Sequence, residues 1–423
     1  MSRTRTLRGM LRIWAAALLL AIGSLAVPPA QAADPIKVGF SMALTGAVAQ
    51  NGKQLLIALE IWRDDVNAKG GLLGRQVELV YYDDQSNPSN VPGIYTKLLT
   101  VDKVDLLLGP YATNMVAPAM PVIMQENKTT ISLLALGVNS HFNYPRYFSM
   151  VPVGPEGVKA FSRGYFELAA AQKPKPKTVA MIAADAEFAK TAADGAKVNA
   201  KALGFDIIYD KTYPPGTTDF SPVVRAMQAS NADIAFVASY PPDTVGIIRA
   251  ASEIGYTPKM FGGTMIGLLV TPLKVQLGPL MNGIVIMESF VPAPSFNFPG
   301  LQAVLDKYRV RATDQRIDPF GYGFVPFGYA AGQILAQAVT ETKSLDHDKI
   351  AKYIHATTFK TVAGEIAYNA AGDWTEPRTV FTQFQNVAPN NIEQFRTVKP
   401  QPILWPEKYK SGTMIYPYAD ARK

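Results

Sequence analysis

Short apolar runs rich in β-branched residues alternate along the chain with amphipathic stretches that have helical spacing. The first predicted helix shows the pattern, because Leu55, Leu59, Trp62 and Val66 recur every three or four residues and form one apolar stripe. Almost continuous apolar runs such as 104–108 are typical of strands whose two faces are both covered by helices. In the first half of the chain we predict strands at 36–42, 76–84, 104–110 and 129–136, and helices at 51–69, 91–101 and 114–126.

The alternation then starts again, which predicts a second unit of the same kind. Strands are expected at 178–185, 205–213 and 232–240, and helices at 186–203, 219–229, 243–254, 301–309, 325–342 and 348–356. The fold class is therefore α/β, with two doubly wound α/β lobes rather than one long sheet. A turn-rich β segment covers 364–395. The tail from 397 to 423 has no periodicity, and the pattern does not place it.

The first 32 residues have the three-part layout of a signal peptide. Four arginines precede the apolar run 14–27, and Ala30-Gln31-Ala32 supplies small residues for cleavage after residue 32. The run is shorter than the roughly 20 residues that a membrane-spanning helix needs. We therefore expect export to the periplasm. Loss of the four arginines lowers the formal charge from +7 to +3, which does not suggest a nucleic-acid partner.

The sequence lacks the residues that several kinds of catalytic and metal-binding chemistry need. The chain has no cysteine, which excludes disulfides, thiolate metal sites and thiol nucleophiles. Gly46 and Gly52 lie between a strand and a helix, but five residues separate them and Gln54 stands where a phosphate loop needs Ser or Thr. The histidines, at 141, 347 and 355, show no metal-ligand spacing. We therefore expect no enzyme activity, no metal and no cofactor.

Motifs in both halves of the chain resemble one known family. The segments 36–46 (IKVGFSMALTG), 65–71 (DVNAKGG) and 80–84 (VYYDD) are similar to the branched-chain amino-acid-binding proteins of ABC importers, and 217–221 (TTDFS) and 232–236 (ADIAF) continue the match. The resemblance runs from about residue 37 to 384. It implies a type I periplasmic binding-protein fold, in which a three-crossover hinge joins the two lobes and the ligand binds between them.

The resemblance also implies a division of the chain and a set of partners. Lobe 1 would hold 34–151 and 291–361, and lobe 2 would hold 152–290 and 362–396, with crossovers near 150–154, 288–292 and 361–366. The protein would be a monomer that delivers a small molecule to an ABC permease and ATPase complex in the inner membrane. A ligand-sensing partner of a membrane receptor remains an alternative.

The resemblance suggests how the ligand is held, and this sequence departs from it. Thr113 matches the family serine that binds the ligand carboxylate, and it precedes a helix whose first amides favour an anion. Leu136 and Thr264 stand where the family has a threonine and an acid for the ligand ammonium. A buried ammonium without its carboxylate would cost several kcal/mol. We therefore expect a carboxylate that is not an α-amino acid.

Apolar and aromatic residues gather at the carboxyl ends of the predicted parallel strands, where ligands bind in this class of fold. An aromatic ligand that buries about 150–200 Å² there would gain roughly 4–5 kcal/mol. Asn51 could bond a ring hydroxyl or carbonyl. Amino acids held differently, amides and aliphatic acids stay open as alternatives. The predicted ligand-binding residues are Asn51, Tyr111, Thr113, Leu134, Leu136, Phe188, Tyr240, Thr264 and Phe324.

Overall fold

The computed structural model describes residues 33–423, so the predicted signal peptide lies outside the described part of the chain. Its first sheet has five strands that are all parallel, in the order β2-β1-β3-β4-β5. These strands are β1 (Ile36–Met42), β2 (Val77–Asp83), β3 (Leu106–Tyr111), β4 (Thr130–Leu133) and β5 (Tyr147–Ser149).

A second sheet of seven strands follows, in the order β14-β13-β10-β9-β8-β6-β7. Its strands β6 to β10 run parallel, whereas β13 and β14 are antiparallel to their neighbours. A separate antiparallel hairpin precedes β13. These strands are β6 (Thr178–Ala184), β7 (Asp206–Tyr213), β8 (Ile234–Ser239), β9 (Met260–Met265), β10 (Val285–Glu288), the hairpin β11 (Phe359–Thr361) and β12 (Gly364–Ile366), β13 (Val380–Gln383) and β14 (Ile403–Trp405).

Helices connect the parallel strands, as strand pairing of this kind requires. Those linking the first sheet are α1 (Ala49–Asn67), α2 (Val91–Thr100), α3 (Thr113–Gln125) and the short α4 (Asn139–Phe142). The second sheet is accompanied by α5 (Arg163–Ala170), α6 (Glu187–Ala202), α7 (Ser221–Ala229), α8 (Pro241–Ile254) and α9 (Thr271–Leu277). The later helices are α10 (Leu301–Gln315), α11 (Val325–Thr342) and α12 (His347–Ala356).

The apolar stripe predicted for α1 is buried, and α11 crosses it closely. Leu55, Leu59 and Trp62 are almost wholly inaccessible to solvent. The Trp62 ring lies so near Gly332 of α11 that a Cβ at that glycine would come within 2.3 Å of it. A later helix therefore covers the first sheet's early helix, and glycine is the residue that allows this approach.

Two separate hydrophobic cores show that the described chain forms two lobes, one around each sheet. This confirms the predicted α/β class with two doubly wound lobes. Pro152 and Arg378 join two of the connections between lobes, since the Arg378 amide donates to the Pro152 carbonyl over 2.9 Å. Tyr368 and Trp374 still pack in the first core. Val380 and Ile403 of the seven-stranded sheet also pack in that core, so the segment after the hairpin contacts both cores.

The C-terminal tail, which the sequence pattern left unplaced, belongs to the second lobe. Its strand β14 pairs with β13 at the edge of the seven-stranded sheet. Tyr418 is 1% exposed and its ring meets Phe261 edge-on, with centroids 5.6 Å apart. The Tyr418 amide also donates to the Lys259 carbonyl. The tail is thus part of the core of this lobe.

The burial of Tyr418 predicts that the tail stabilises the protein. Tyr418→Ala removes a buried ring and should lower the free energy of unfolding by about 3–5 kcal/mol, measured by urea denaturation. The matched control Tyr418→Phe keeps the ring and loses only the contact of its hydroxyl with Arg422, so it should cost less than about 1 kcal/mol. Equal stability of the alanine variant and the unaltered protein would contradict this placement.

Candidate functional site

A cavity lies between the lobes, where the carboxyl ends of the parallel strands of both sheets come together. Tyr111 ends β3, Tyr240 follows β8, and Ile266 follows β9. The empty space, counted together with the open solvent at its mouth, is about 480 Å³. It is lined by Tyr111, Ala112, Leu134, Val151, Phe161, Phe188, Tyr240, Ile266, Leu269, Met287, Ser289, Gly323 and Phe324.

Five aromatic rings from both lobes form most of this wall. From the first lobe, Tyr111 and Phe324 meet edge to face with centroids 5.7 Å apart. From the second lobe, Phe188 contacts Phe161 at 6.2 Å and Tyr240 at 5.8 Å. Ring geometry of this kind favours a flat, apolar guest that offers both faces and edges.

The cavity has few polar groups, and those that it has are uncharged. Asn51 is wholly buried behind the wall, and its amide nitrogen donates to the Tyr111 hydroxyl over 2.7 Å. Burial raises the pKa of both Tyr111 and Tyr240 well above its ordinary value, so both phenols stay protonated. Ser289 supplies a further hydroxyl. No acidic or basic side chain is among the lining residues.

Thr113 and Leu136 do not line the cavity, but a hydrogen bond between them fixes the backbone next to it. The Thr113 hydroxyl accepts a hydrogen bond from the Leu136 amide over 2.9 Å, which ties the start of α3 to the loop after β4. The Leu136 side chain is buried among residues of the second core. Ala112 lines the cavity and α3 begins at Thr113. The Ala112 and Met115 amides are already bonded to backbone carbonyls, so the Thr113 and Asn114 amides are the ones at this helix start that favour an anion.

The structure does not place Thr264 in the cavity. This residue lies inside β9, is 1% exposed, and donates its hydroxyl hydrogen to the Phe161 carbonyl over 3.1 Å. The strand continues to Met265, so Ile266 is the first residue beyond its end and it lines the cavity. Thr264 is therefore not a wall residue, whereas Ile266, two positions later, is. Neither residue is an acid.

Of the nine predicted residues, the structure brings five to the cavity wall and leaves four behind or away from it. Met287 and Ser289 were missed, although they alternate along the end of β10 next to a predicted crossover, and that period of two was a usable signal. Phe161 is the last residue of the 3-10 helical segment Gly154–Phe161 and gave no signal in the sequence. The five on the wall are Tyr111, Leu134, Phe188, Tyr240 and Phe324.

Residues 33–423 lack two further kinds of feature. No group of three or more His, Cys, Asp or Glu side chains is arranged to hold a metal ion. None of the helices in the same residues is both long enough and apolar enough to cross a membrane.

Ala112 carries backbone strain at the edge of the cavity. Its φ of 75° and ψ of 149° lie in a region that is essentially reserved for glycine. The next wall residue of this lobe, Leu134, also has a positive φ, of 56°. Strained backbone of this kind persists where the surrounding structure holds it, often at ligand sites. Here it turns the chain from the end of β3 into α3.

Comparisons with known proteins agree with this architecture. A family model for periplasmic binding proteins matches residues 35–385. A Leu/Ile/Val-binding protein of Citrobacter freundii is 26% identical over 348 residues, which cover 81% of this chain and 88% of that protein.

Solved structures show the same fold. A leucine-binding protein from Thermotoga maritima has a TM-score of 0.72 at 18% identity, covering 84% of this chain and 99% of that one. A solute-binding protein of an ABC transporter from R. palustris, solved in complex with 4-hydroxybenzoate, has a TM-score of 0.72 at 19% identity, covering 84% of this chain and 94% of that one. The type I fold expected from the resemblance is thus confirmed.

The strain at Ala112 can be measured directly. Ala112→Gly removes the steric conflict and should raise the free energy of unfolding by about 1 kcal/mol, read from urea denaturation. The control Ala117→Gly makes the same change inside α3, where it should lower that free energy by about 1 kcal/mol. If both substitutions destabilise the protein to the same extent, the backbone at Ala112 is not strained.

Proposed function

Because the chain belongs to the family of periplasmic binding proteins, we propose that it captures a small aromatic carboxylate between its lobes and delivers it to an ABC permease and ATPase complex. In this proposal the protein acts in the periplasm after loss of residues 1–32, works as a monomer, and has no catalytic activity of its own. The ligand is released unchanged to the membrane complex.

The single observation that carries the proposal is the uncharged cavity with five aromatic rings. An aromatic guest that buries about 150–200 Å² between them gains roughly 4–5 kcal/mol. The Tyr111 hydroxyl, held by Asn51, can bond a substituent on the guest's ring. Shape and apolar contact therefore supply most of the affinity.

The carboxylate end is assigned to the start of α3. The first amides of a helix have no partner within it and lie at the positive end of its dipole. The protein fixes these amides with the hydrogen bond from the Leu136 amide to Thr113. An anion bound there needs no cationic side chain, which agrees with the absence of Lys, Arg and His from the lining residues.

Branched-chain amino acids are the second candidate, since relatives carry names such as Leu/Ile/Val-binding protein. The cavity opposes this candidate because a buried ammonium without a carboxylate costs several kcal/mol, roughly a thousandfold in affinity. The neighbour solved with 4-hydroxybenzoate supports the aromatic candidate.

Calorimetry on the exported chain distinguishes the two candidates. We expect one ligand per chain, with benzoate and 4-hydroxybenzoate binding at least a hundredfold more tightly than leucine or isoleucine, because the cavity has no acid for the amine. Benzamide, which has the shape of benzoate without its charge, is the matched control and should bind more weakly than benzoate. Tight leucine binding without any response to the aromatic acids would refute the proposal.

The charge of the cavity is tested at Ile266, the wall residue next to the end of β9. Ile266→Glu places an acid on the wall of the cavity that binds the carboxylate, and its repulsion and desolvation should weaken benzoate binding by at least tenfold. Ile266→Gln is the control of equal size, and the difference between the two variants isolates the charge. If both variants bind benzoate equally, no anion is bound near residue 266.

A further inference from the structure

One amide oxygen of the first lobe accepts two hydrogen bonds from the second lobe. Asn114 is the second residue of α3, and its Oδ1 lies 2.9 Å from the Phe188 amide nitrogen and 2.9 Å from the Tyr240 hydroxyl. A backbone N–H can only donate, so the side-chain oxygen and not the NH₂ group must face it. The orientation of Asn114 is therefore fixed by this contact.

Both donors belong to residues whose rings line the cavity. Phe188 lies in the first turn of α6, and Tyr240 immediately precedes α8. Asn114 itself is not among the lining residues. The Asn114 side chain of the first lobe therefore contacts two wall residues of the second lobe, Phe188 and Tyr240, without lining the cavity itself.

We propose that Asn114 is a positioning residue that acts as a clasp: it stabilises the closed arrangement of the lobes and aligns Phe188 and Tyr240 without touching the ligand. Its two hydrogen bonds join groups of different lobes, so they exist only when the lobes are closed. In an open arrangement the same groups bond to water. The clasp therefore shifts the equilibrium between open and closed lobes before any ligand is present.

The size of the shift follows from the two hydrogen bonds. With the usual net contribution of each, their loss should lower the closed-to-open ratio by about 10- to 50-fold. A ligand that needs both lobes binds in proportion to the closed fraction of the protein. All such ligands should therefore lose affinity by the same factor as one another. A wall residue would instead change the affinities of different ligands by different factors.

The experiment measures the distance between the lobes in the ligand-free, exported chain. The chain has no cysteine, so Ser89→Cys and Thr218→Cys introduce a unique pair of labelling sites. Both positions are exposed and follow the carboxyl ends of β2 and β7. Spin labels on the pair give the distance distribution with Asn114 unaltered, with Asn114→Leu, which removes the acceptor at similar size, and with Asn114→Asp, which keeps it.

We expect the ligand-free chain with Asn114 to populate short distances, the Asn114→Leu variant to move to long ones, and the Asn114→Asp variant to resemble the unaltered chain. Identical distributions for all three, or an Asp variant that resembles the Leu variant, would overturn the clasp. If Asn114→Leu does not fold, Tyr240→Phe carries the same test, because it removes one donor and keeps the ring.

A second measurement separates the clasp from the wall. The inference rests on the proposed function only here, where benzoate and 4-hydroxybenzoate are the probes, and the distance measurement stands if neither binds. Asn114→Leu should weaken both by a similar factor, whereas Tyr111→Phe should weaken 4-hydroxybenzoate more than benzoate. A loss at Asn114 that is confined to one of the two acids would assign it to the wall and refute the clasp.

Discussion

The arrangement depends on one constraint, that parallel strands buried on both faces can present variable residues only where the strands end. Helices cover both faces of such a sheet, so its faces are committed to packing. The carboxyl ends of the strands then share one edge in each lobe. Because the lobes bring those edges together, Tyr111, Tyr240 and Ile266 reach the same cavity from three separate strands.

The cavity combines a soft wall with a rigid frame. Aromatic rings and a methionine form the wall, and they can adapt to guests of related shape. The frame consists of fixed contacts and backbone geometry, such as the hydrogen bond from the Leu136 amide to the Thr113 hydroxyl and the positive φ of Ala112. Under the proposed function, selectivity against amines would arise from the cost of burying a charge and not from a close steric fit.

The sequence predicted the layers of the fold well, because period and strand length follow directly from burial. It also found Tyr111 and Tyr240, which sit at strand ends where spacing alone locates them. Thr264 lies inside β9 and not on the cavity wall, a distinction of one or two residues that a sequence pattern does not resolve. Phe161 and Asn114 were missed because their roles arise only from contacts between distant segments.

The interlocking of early and late segments has a consequence for the order in which the chain can fold. Trp62 of α1 packs against Gly332 of α11, and Tyr418 completes the core that β6 begins. Neither core can therefore close on the portion of chain that emerges first during synthesis. Joining segments this far apart in the sequence slows folding, so each core is completed only after its late segment has been made.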